Sequence, residues 1–172
     1  VKLDFGFSNN LHVGLNLISE HIASAAPEFF SIASTQNNRV VSEYKHVQIN
    51  SYIQYTPRRN VFGYGVEQRF GVNLHPKFVL KYSQGIEGLF GGVLDYNKVQ
   101  LSYNQAILLN FMGNLDANFE LAKTYGVVPL PLLSAIPSNQ GYSLKPRTFS
   151  LLNYYDMVAD SYLMGHFEHH FN

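Results

Sequence analysis

The stretch Phe111-Met112-Gly113-Asn114-Leu115-Asp116-Ala117-Asn118-Phe119-Glu120-Leu121-Ala122-Lys123 alternates between apolar and polar residues. Leu115, Phe119 and Leu121 lie at odd-numbered positions, whereas Asp116 and Glu120 lie at even-numbered positions. Successive side chains of a β-strand point to opposite faces, so this pattern predicts a strand with one apolar and one polar face.

A second stretch, Phe62–Leu74, alternates in the same way and predicts a long strand over Val61–Leu74. Both runs exceed the usual strand length of about 5–6 residues. They match the roughly 9–11 residues that a tilted strand needs to cross a bilayer. Their length therefore favours a transmembrane β-barrel.

The rest of the chain predicts an all-β, antiparallel, up-and-down barrel in one domain, residues 1–172. The pattern predicts about eight strands: Val1–Ser8, Asn10–Ile18, Val41–Thr56, Val61–Leu74, Lys77–Ser83, Asn97–Leu108, Phe111–Tyr125 and Ser161–Asn172. Short turns between most of them favour a meander over a parallel sheet. We expect a short helix at Glu20–Ala26, and a non-strand lid or plug at 127–160, where the alternation stops.

Composition narrows the class of protein further. Charged residues make up 14% of the chain, against about 25% in a typical soluble domain. A low charge content suits a barrel whose exterior meets lipid. The formal net charge is zero, so no nucleic-acid partner is indicated. The absence of cysteine excludes a disulfide framework and a thiolate metal site.

Alternation alone does not decide which face is inside. Aromatic residues near strand ends, among them Tyr55, Phe62 and Tyr82, are typical of the interfacial girdle of a membrane barrel. We therefore expect the apolar faces to meet outer-membrane lipid, and the polar side chains of Glu67, Arg69, Asp116 and Glu120 to face the lumen. The alternative is a soluble lipocalin-like barrel, which would turn its apolar face inward around an apolar ligand.

Candidate sites for chemistry are weak. His166, Glu168 and His170 share one face of the last predicted strand, and two imidazoles with a carboxylate resemble a zinc ligand set. Positions i, i+2 and i+4 of one strand spread too far apart for one ion, so polar lumen residues are the preferred interpretation. An outer-membrane hydrolase using Ser102 or Ser161 is the enzymatic alternative, but no nucleophile motif supports it. We predict no catalytic residue and no cofactor.

The segment from Val127 to Asp160 is the better candidate for function. Its Val128–Leu133 portion is too apolar for a solvated loop and contains two prolines, which exclude a central strand. We expect it to fold onto the barrel mouth or into the lumen, or against a partner. The residues predicted for this lid or partner contact are Pro129, Pro131, Leu132, Leu133, Asn139, Gln140, Asn153 and Asp156.

The second half of the chain resembles a known family, the C-terminal outer-membrane barrel domain of large Gram-negative envelope proteins of unknown function. In that family the barrel follows a carboxypeptidase-regulatory-like domain. The matching stretches are Tyr82–Gly91, Asp95–Tyr96, Gly126–Leu133, Pro137–Gln140, Phe149–Tyr162 and Glu168–Asn172.

The resemblance implies a bacterial outer-membrane location and a non-enzymatic scaffold or a component of an envelope assembly or transport complex. The family is distantly similar to outer-membrane assembly and translocation barrels, which implies other envelope proteins as partners. The family's N-terminal soluble domain is not among these 172 residues, and we expect a closed barrel to need residues beyond them. Because an open edge in lipid is untenable, we expect the chain to form an incomplete portion of a larger barrel.

Overall fold

The computed structural model describes residues 1–23, 32–34, 39–41, 43–63, 67, 69–70, 74–139, 148–149, 151–153 and 155–171. In this part of the chain the regular structure is β-strand with a few short 3₁₀ turns, and no α-helix occurs. The prediction of an all-β fold is therefore confirmed. No helix in these ranges is long and apolar enough to span a membrane.

The strands in chain order are β1 (Lys2–Gly6), β2 (Leu11–Ala23), β3 (Ile32–Ser34), β4 (Arg39–Val41), β5 (Glu43–Tyr55), β6 (Val61–Phe62), β7 (Arg69–Phe70), β8 (Lys77–Gly85), β9 (Tyr96–Leu108), β10 (Asn114–Tyr125), β11 (Ser134–Ala135), β12 (Val158–Ala159) and β13 (Ser161–His170). Seven of them form one sheet in the order β1-β2-β5-β8-β9-β10-β13. Every neighbouring pair is antiparallel, and the order follows the chain. The antiparallel meander is thus confirmed, with β1 and β13 as its two edges.

The predicted strand over Val61–Leu74 is wrong for its described part, and residues 64–66, 68 and 71–73 lie outside the described residues. The chain instead makes two-residue strands β6 and β7, which pair only with each other and lie outside the large sheet. Gly63 has φ 85°, a left-handed conformation that ends the extended run. In the described part of the chain the large sheet therefore has seven strands and not the predicted eight.

The predicted helix at Glu20–Ala26 is also wrong for its described part. Strand β2 continues through Ala23, and Glu20 pairs with His46 in the register of β2 against β5. Pairing with β5 satisfies backbone groups that a short isolated helix would leave without tertiary support.

The two faces of the large sheet differ in polarity and in exposure. On β10 the apolar side chains of Phe119 and Leu121 are 41% and 44% exposed, whereas the polar Asn118 and Thr124 on the opposite face are 7% and 3% exposed. The register continues this division onto β8 and β9, where Leu80 lies opposite Leu101 on the apolar face. We call the two sides the apolar face and the polar face.

One end of the polar face is covered by apolar residues. Val128 and Leu132 pack against a buried cluster of Tyr44, Leu94 and Tyr96, together with Ile22 from β2. Leu130–Leu132 forms a 3₁₀ turn that begins after Pro129, whose fixed φ suits the start of such a turn. We call residues 128–133 the cap.

Candidate functional site

The polar face carries a hydrogen-bonded network next to the cap. The His46 ring stacks on Tyr96 with centroids 5.7 Å apart, and His46 Nε2 lies 2.9 Å from the Tyr96 hydroxyl. That hydroxyl donates to Gln48 Oε1 at 2.9 Å. Buried polar groups need such partners, and here β5 and β9 supply them across the intervening β8. This network fixes the position of the Tyr96 ring on which Val128 and Leu132 rest.

A second network lies further along the polar face, on β9, β10 and β13. Gln100 Nε2 donates to Glu120 Oε1 at 2.7 Å, and the Tyr162 hydroxyl donates to the same carboxylate. Hydrogen bonds to a carboxylate are stronger than those between neutral groups. Three strands are therefore tied together through one acidic side chain.

A third cluster lies at the edge formed by β1. Asp4 accepts a hydrogen bond from the Tyr52 hydroxyl at 2.6 Å and pairs with Lys2 at 2.9 Å. Both partners of the Lys2–Asp4 pair are well exposed, so their attraction is weak in solvent.

The turn after β5 is held to the turn between β1 and β2. Arg59 donates from its backbone N–H to Asn10 Oδ1 at 3.2 Å and from Nη1 to His12 Nε2 at 2.9 Å. Burial lowers the pKa of the Arg59 guanidinium. These contacts close the end of the sheet opposite the cap.

The four acidic and basic residues predicted for the lumen divide into two pairs. Asp116 and Glu120 lie on the polar face of β10. Glu67 and Arg69 are exposed and lie at the β6–β7 hairpin outside the large sheet, so they are not on its polar face, and their position facing the lumen stays a prediction. The reason is the turn at Gly63, which removes the hairpin from the sheet.

The histidines of β13 do not converge on one point. His170 Nε2 lies 3.2 Å from Glu168 and 3.8 Å from Asp116, whereas His166 faces the ring of Phe149 with centroids 5.6 Å apart. Within the described ranges no group of three or more His, Cys, Asp or Glu side chains could hold a metal ion. The geometry therefore gives no ligand set to His166, Glu168 and His170.

The predicted lid residues lie in different surroundings. Pro129 and Asn139 are buried, Leu132 and Leu133 are half-buried, and Pro131 is exposed while lining a cavity on the polar face. Strands β11 and β12 pair with each other inside the 127–160 segment, so the segment is not wholly without strand.

The remaining lid residues do not reach the sheet. Asn153 and Asp156 are exposed, and the Asn153 backbone N–H donates to Asp156 Oδ2 at 2.7 Å in a local turn. Leu130 is 55% exposed although the sequence predicts it to be covered. Gln140 lies outside the described residues.

Two of the cavities over the polar face adjoin the networks described above. One of about 440 Å³ is bounded by the cap residues Pro131, Leu132 and Leu133. The other, of about 490 Å³, includes Glu120 and His166 in its wall. Several buried polar atoms nearby, including His166 Nδ1 and Asn118 Oδ1, have no hydrogen-bond partner among the described residues.

Sequence reasoning missed three lysines in the wall of the first cavity, Lys2, Lys81 and Lys98. Each occupies a polar position of an alternating strand, which was the available signal. Their proximity depends on the pairing of β1, β2, β5, β8 and β9, and no single strand reveals it.

Comparison with protein families gives one result. The model of the Family of unknown function (DUF5686) C-terminal domain matches residues 13–127. The match includes the first half of the chain, where the resemblance noted from the sequence rested on strand pattern alone, and it ends before most of the 127–160 segment. No curated protein and no solved structure matches the chain. Because the family match spans more than half of the 172 residues, the chain belongs to the DUF5686 C-terminal domain family.

Proposed function

We propose that this chain is part of an outer-membrane β-barrel of a Gram-negative envelope. Its apolar face meets lipid and its polar face lines the lumen. Its role is non-enzymatic, as a scaffold or a component of an envelope assembly or transport complex.

The observation that carries the proposal is the exposure of the two faces. Large apolar side chains such as Phe119, Leu121 and Leu80 are about two-fifths exposed, while polar residues fill the sheltered side. In a soluble barrel the hydrophobic effect would place the apolar side chains inside. The observed arrangement is typical of a barrel whose exterior solvent is hydrocarbon.

An aromatic row on the apolar face supports the same proposal. Phe78, Tyr103, Phe119 and Phe167 contact in sequence across β8, β9, β10 and β13, with ring centroids 5.2, 6.0 and 5.2 Å apart. Four aromatic side chains in contact on one exposed sheet face form an apolar surface that suits hydrocarbon better than water.

The sheet edges bear on how the barrel closes. Strands β1 and β13 each pair on one side within the described ranges, and they do not pair with each other. Each unpaired backbone N–H or C=O group in hydrocarbon costs on the order of several kcal/mol of free energy. We propose that further strands, in this protein or a partner, complete the hydrogen bonding at both edges.

The position of the cap favours a scaffold role rather than the role of an open pore. Pro131, Leu132 and Leu133 lie over the polar face and narrow the space above it. A wide aqueous channel needs an unobstructed lumen, as in large porins. Leu130 in the cap and Val127 just before it are exposed, and together they suit contact with another protein.

Single cysteines test the lipid assignment, since the native chain has none. Leu101 and Ser102 are sequence neighbours on opposite faces of β9. In the full-length protein reconstituted in vesicles, a fluorophore on Leu101→Cys should be quenched strongly by brominated lipid, and one on Ser102→Cys weakly. Equal quenching at both sites, or a protein that stays monodisperse without detergent, would favour the soluble lipocalin-like alternative.

The proposed non-enzymatic role is tested separately by crosslinking intact cells. Photoreactive residues at exposed cap positions, such as Leu130, should capture envelope proteins, whereas the same group at Phe78 on the apolar face should label lipid. Capture that is identical at both positions would contradict a role for the cap in partner contact.

A further inference from the structure

The cavity beneath the cap has a one-sided charge. Its volume is about 440 Å³, and three lysines line it, Lys2, Lys81 and Lys98. No aspartate or glutamate is among the described residues of its wall. The second cavity shares Lys2 and Lys81 with the first and adds Lys77, but its wall also contains Glu120. A cavity lined by cations and neutral donors attracts anions.

The register brings two of these lysines together. Lys81 on β8 lies opposite Gln100, and Lys98 on β9 lies opposite Ser83, so the two lysines are diagonal neighbours on the polar face. Diagonal positions on adjacent strands are about 7–8 Å apart at the backbone, within reach of long side chains. Like charges at this separation repel, and an anion between the ammonium groups would remove that repulsion.

Two carboxylates act on this wall: Asp4 pairs with Lys2, and the charge of Glu120 acts on Lys98, so Lys81 and Lys98 carry the positive charge that is left for a ligand. Asp4 contacts Lys2 and Tyr52, and Glu120 accepts hydrogen bonds from Gln100 and Tyr162. Among the ion pairs found in the described part of the chain, none includes Lys81 or Lys98.

Neutral donors complete the wall. Ser83 and Asn50 lie opposite each other on β8 and β5, and both line the cavity beside the two lysines. Lysine is a flexible point charge with three donors, and it binds phosphate oxygens in this way in many proteins. The wall thus offers two cations and short polar side chains to one tetrahedral anion.

The cap gives the cavity an apolar roof. Leu132 lines the cavity and also packs in the Tyr44–Tyr96 cluster, so its position is fixed. An apolar roof lowers the local dielectric and strengthens the attraction between lysines and an anion. It also provides a contact for a non-polar part of a ligand.

We propose that this cavity binds a small phosphate-bearing molecule, with the phosphate between Lys81 and Lys98 and the organic part against Leu132. The phosphate group is the shared chemistry of a free phosphorylated solute and a lipid headgroup. The site requires only the polar face and its cap, so it does not depend on the apolar face meeting lipid.

Calorimetric titration of the full-length protein in detergent tests the site with three probes: inorganic phosphate, short-chain dihexanoyl phosphatidic acid and acetate. Phosphate should bind more tightly than acetate. Lys81→Gln and Lys98→Gln should each weaken phosphate binding by at least about tenfold, the cost of losing a charged hydrogen bond. Lys77→Gln is the matched control, because Lys77 lies on the polar face of β8 but outside this cavity.

Lysine footprinting of the unmodified protein provides a test that no variant's folding can obscure. Phosphate should slow acetylation of Lys81 and Lys98, measured by mass spectrometry, and leave Lys77 unchanged. Stronger protection by phosphatidic acid than by inorganic phosphate would assign a lipid headgroup, and equal or weaker protection a free solute. Equal protection of all three lysines, or no preference of phosphate over acetate, would overturn the proposal.

Discussion

The ring of Tyr96 lies over Gly85 on the neighbouring strand, so that a Cβ atom added to Gly85 would come within 2.3 Å of Tyr96 Cε1. The same relationship joins Tyr52 and Gly14, where the added Cβ would come within 2.1 Å of the ring. In both pairs the glycine leaves a hollow that the ring fills. Both rings extend their hydroxyls to a polar partner, Gln48 or Asp4.

Replacing Gly85 with alanine should displace the Tyr96 ring and disturb its contacts with His46 and Gln48. We expect a loss of about 1–3 kcal/mol, the usual range for overpacking a well-packed site. Denaturant unfolding in vesicles measures it. Gly6→Ala is the control, because the nearest atom to its added Cβ is 3.5 Å away. Equal stability of the two variants would show that the Tyr96 ring moves aside without loss of stability.

Removing the Tyr162 hydroxyl should weaken the joint between β10 and β13. Tyr162→Phe deletes a donor to the Glu120 carboxylate while Gln100 remains bonded to it. The expected cost is about 1–3 kcal/mol, because hydrogen bonds to charged groups are stronger than neutral ones. Tyr125→Phe, at an exposed position on the opposite face, should be nearly neutral in the same unfolding measurement.

Arginine at Phe119 tests the lipid-facing assignment by energy. If Phe119 lies near the bilayer midplane, Phe119→Arg should cost about 2–4 kcal/mol in vesicles. Ser102→Arg, which enters the cavity wall opposite Glu120, should cost much less. A larger loss for Ser102→Arg than for Phe119→Arg would reverse the assignment of the two faces.

The cap allows a comparison within one 3₁₀ turn. Leu132 packs against the cluster of Tyr44, Leu94 and Tyr96, whereas Leu130 is 55% exposed. Leu132→Ala should lower stability by about 1–2 kcal/mol, the value for a half-buried aliphatic side chain. Leu130→Ala should change it by less than about 0.5 kcal/mol. A thermal melt of both variants decides whether the cap is held by Leu132.

Deleting Pro129–Pro137 should impair assembly or partner binding without creating or removing catalytic turnover. The deletion removes Leu132 from its cluster and Ser134–Ala135 from pairing with Val158–Ala159. Co-purification of envelope proteins and the amount of protein in the outer-membrane fraction are the measurements. A deletion variant that folds and associates as the native protein does would refute a role for this segment.

Alternation predicted the sheet well wherever the strands carry side chains on both faces. In strand β10 and its two neighbours, the apolar and polar residues lie on the faces that the alternating pattern predicts. The alternating pattern gave a wrong prediction at 61–74. It treats glycine like any other residue of a strand, although Gly63 adopts a turn conformation. The predicted second strand also ended too early, at Ile18. The polar run Ser19-Glu20-His21 does not alternate, yet it continues β2 because it pairs with β5.

The site was less accessible to sequence reasoning than the fold. The prolines at 129 and 131 marked the cap correctly as a non-strand segment, because proline lacks the N–H that a central strand needs. The cavity lysines depend on which residues face each other between strands, and composition carries no such information. The contact of Leu132 with Tyr44 joins residues far apart in the chain, which a pattern within one segment cannot reveal.

The pairs Tyr96–Gly85 and Tyr52–Gly14 also specify the register of strand pairing, which the alternating pattern alone does not. A strand that slips by two residues keeps its apolar and polar faces, so burial alone does not reject the error. Such a slip would place Tyr96 opposite Ser83, Tyr52 opposite His12 or Asn16, and Phe119, which now faces Gly165, opposite Leu163 or Phe167. Each ring would then meet a side chain where it now meets a hollow. At Gly165 an added Cβ would lie 3.4 Å from Phe119, an ordinary contact, so this pair discriminates less. Gly14 and Gly85 lie beneath rings that an added Cβ would overlap, and they therefore select one register among several equally amphipathic ones.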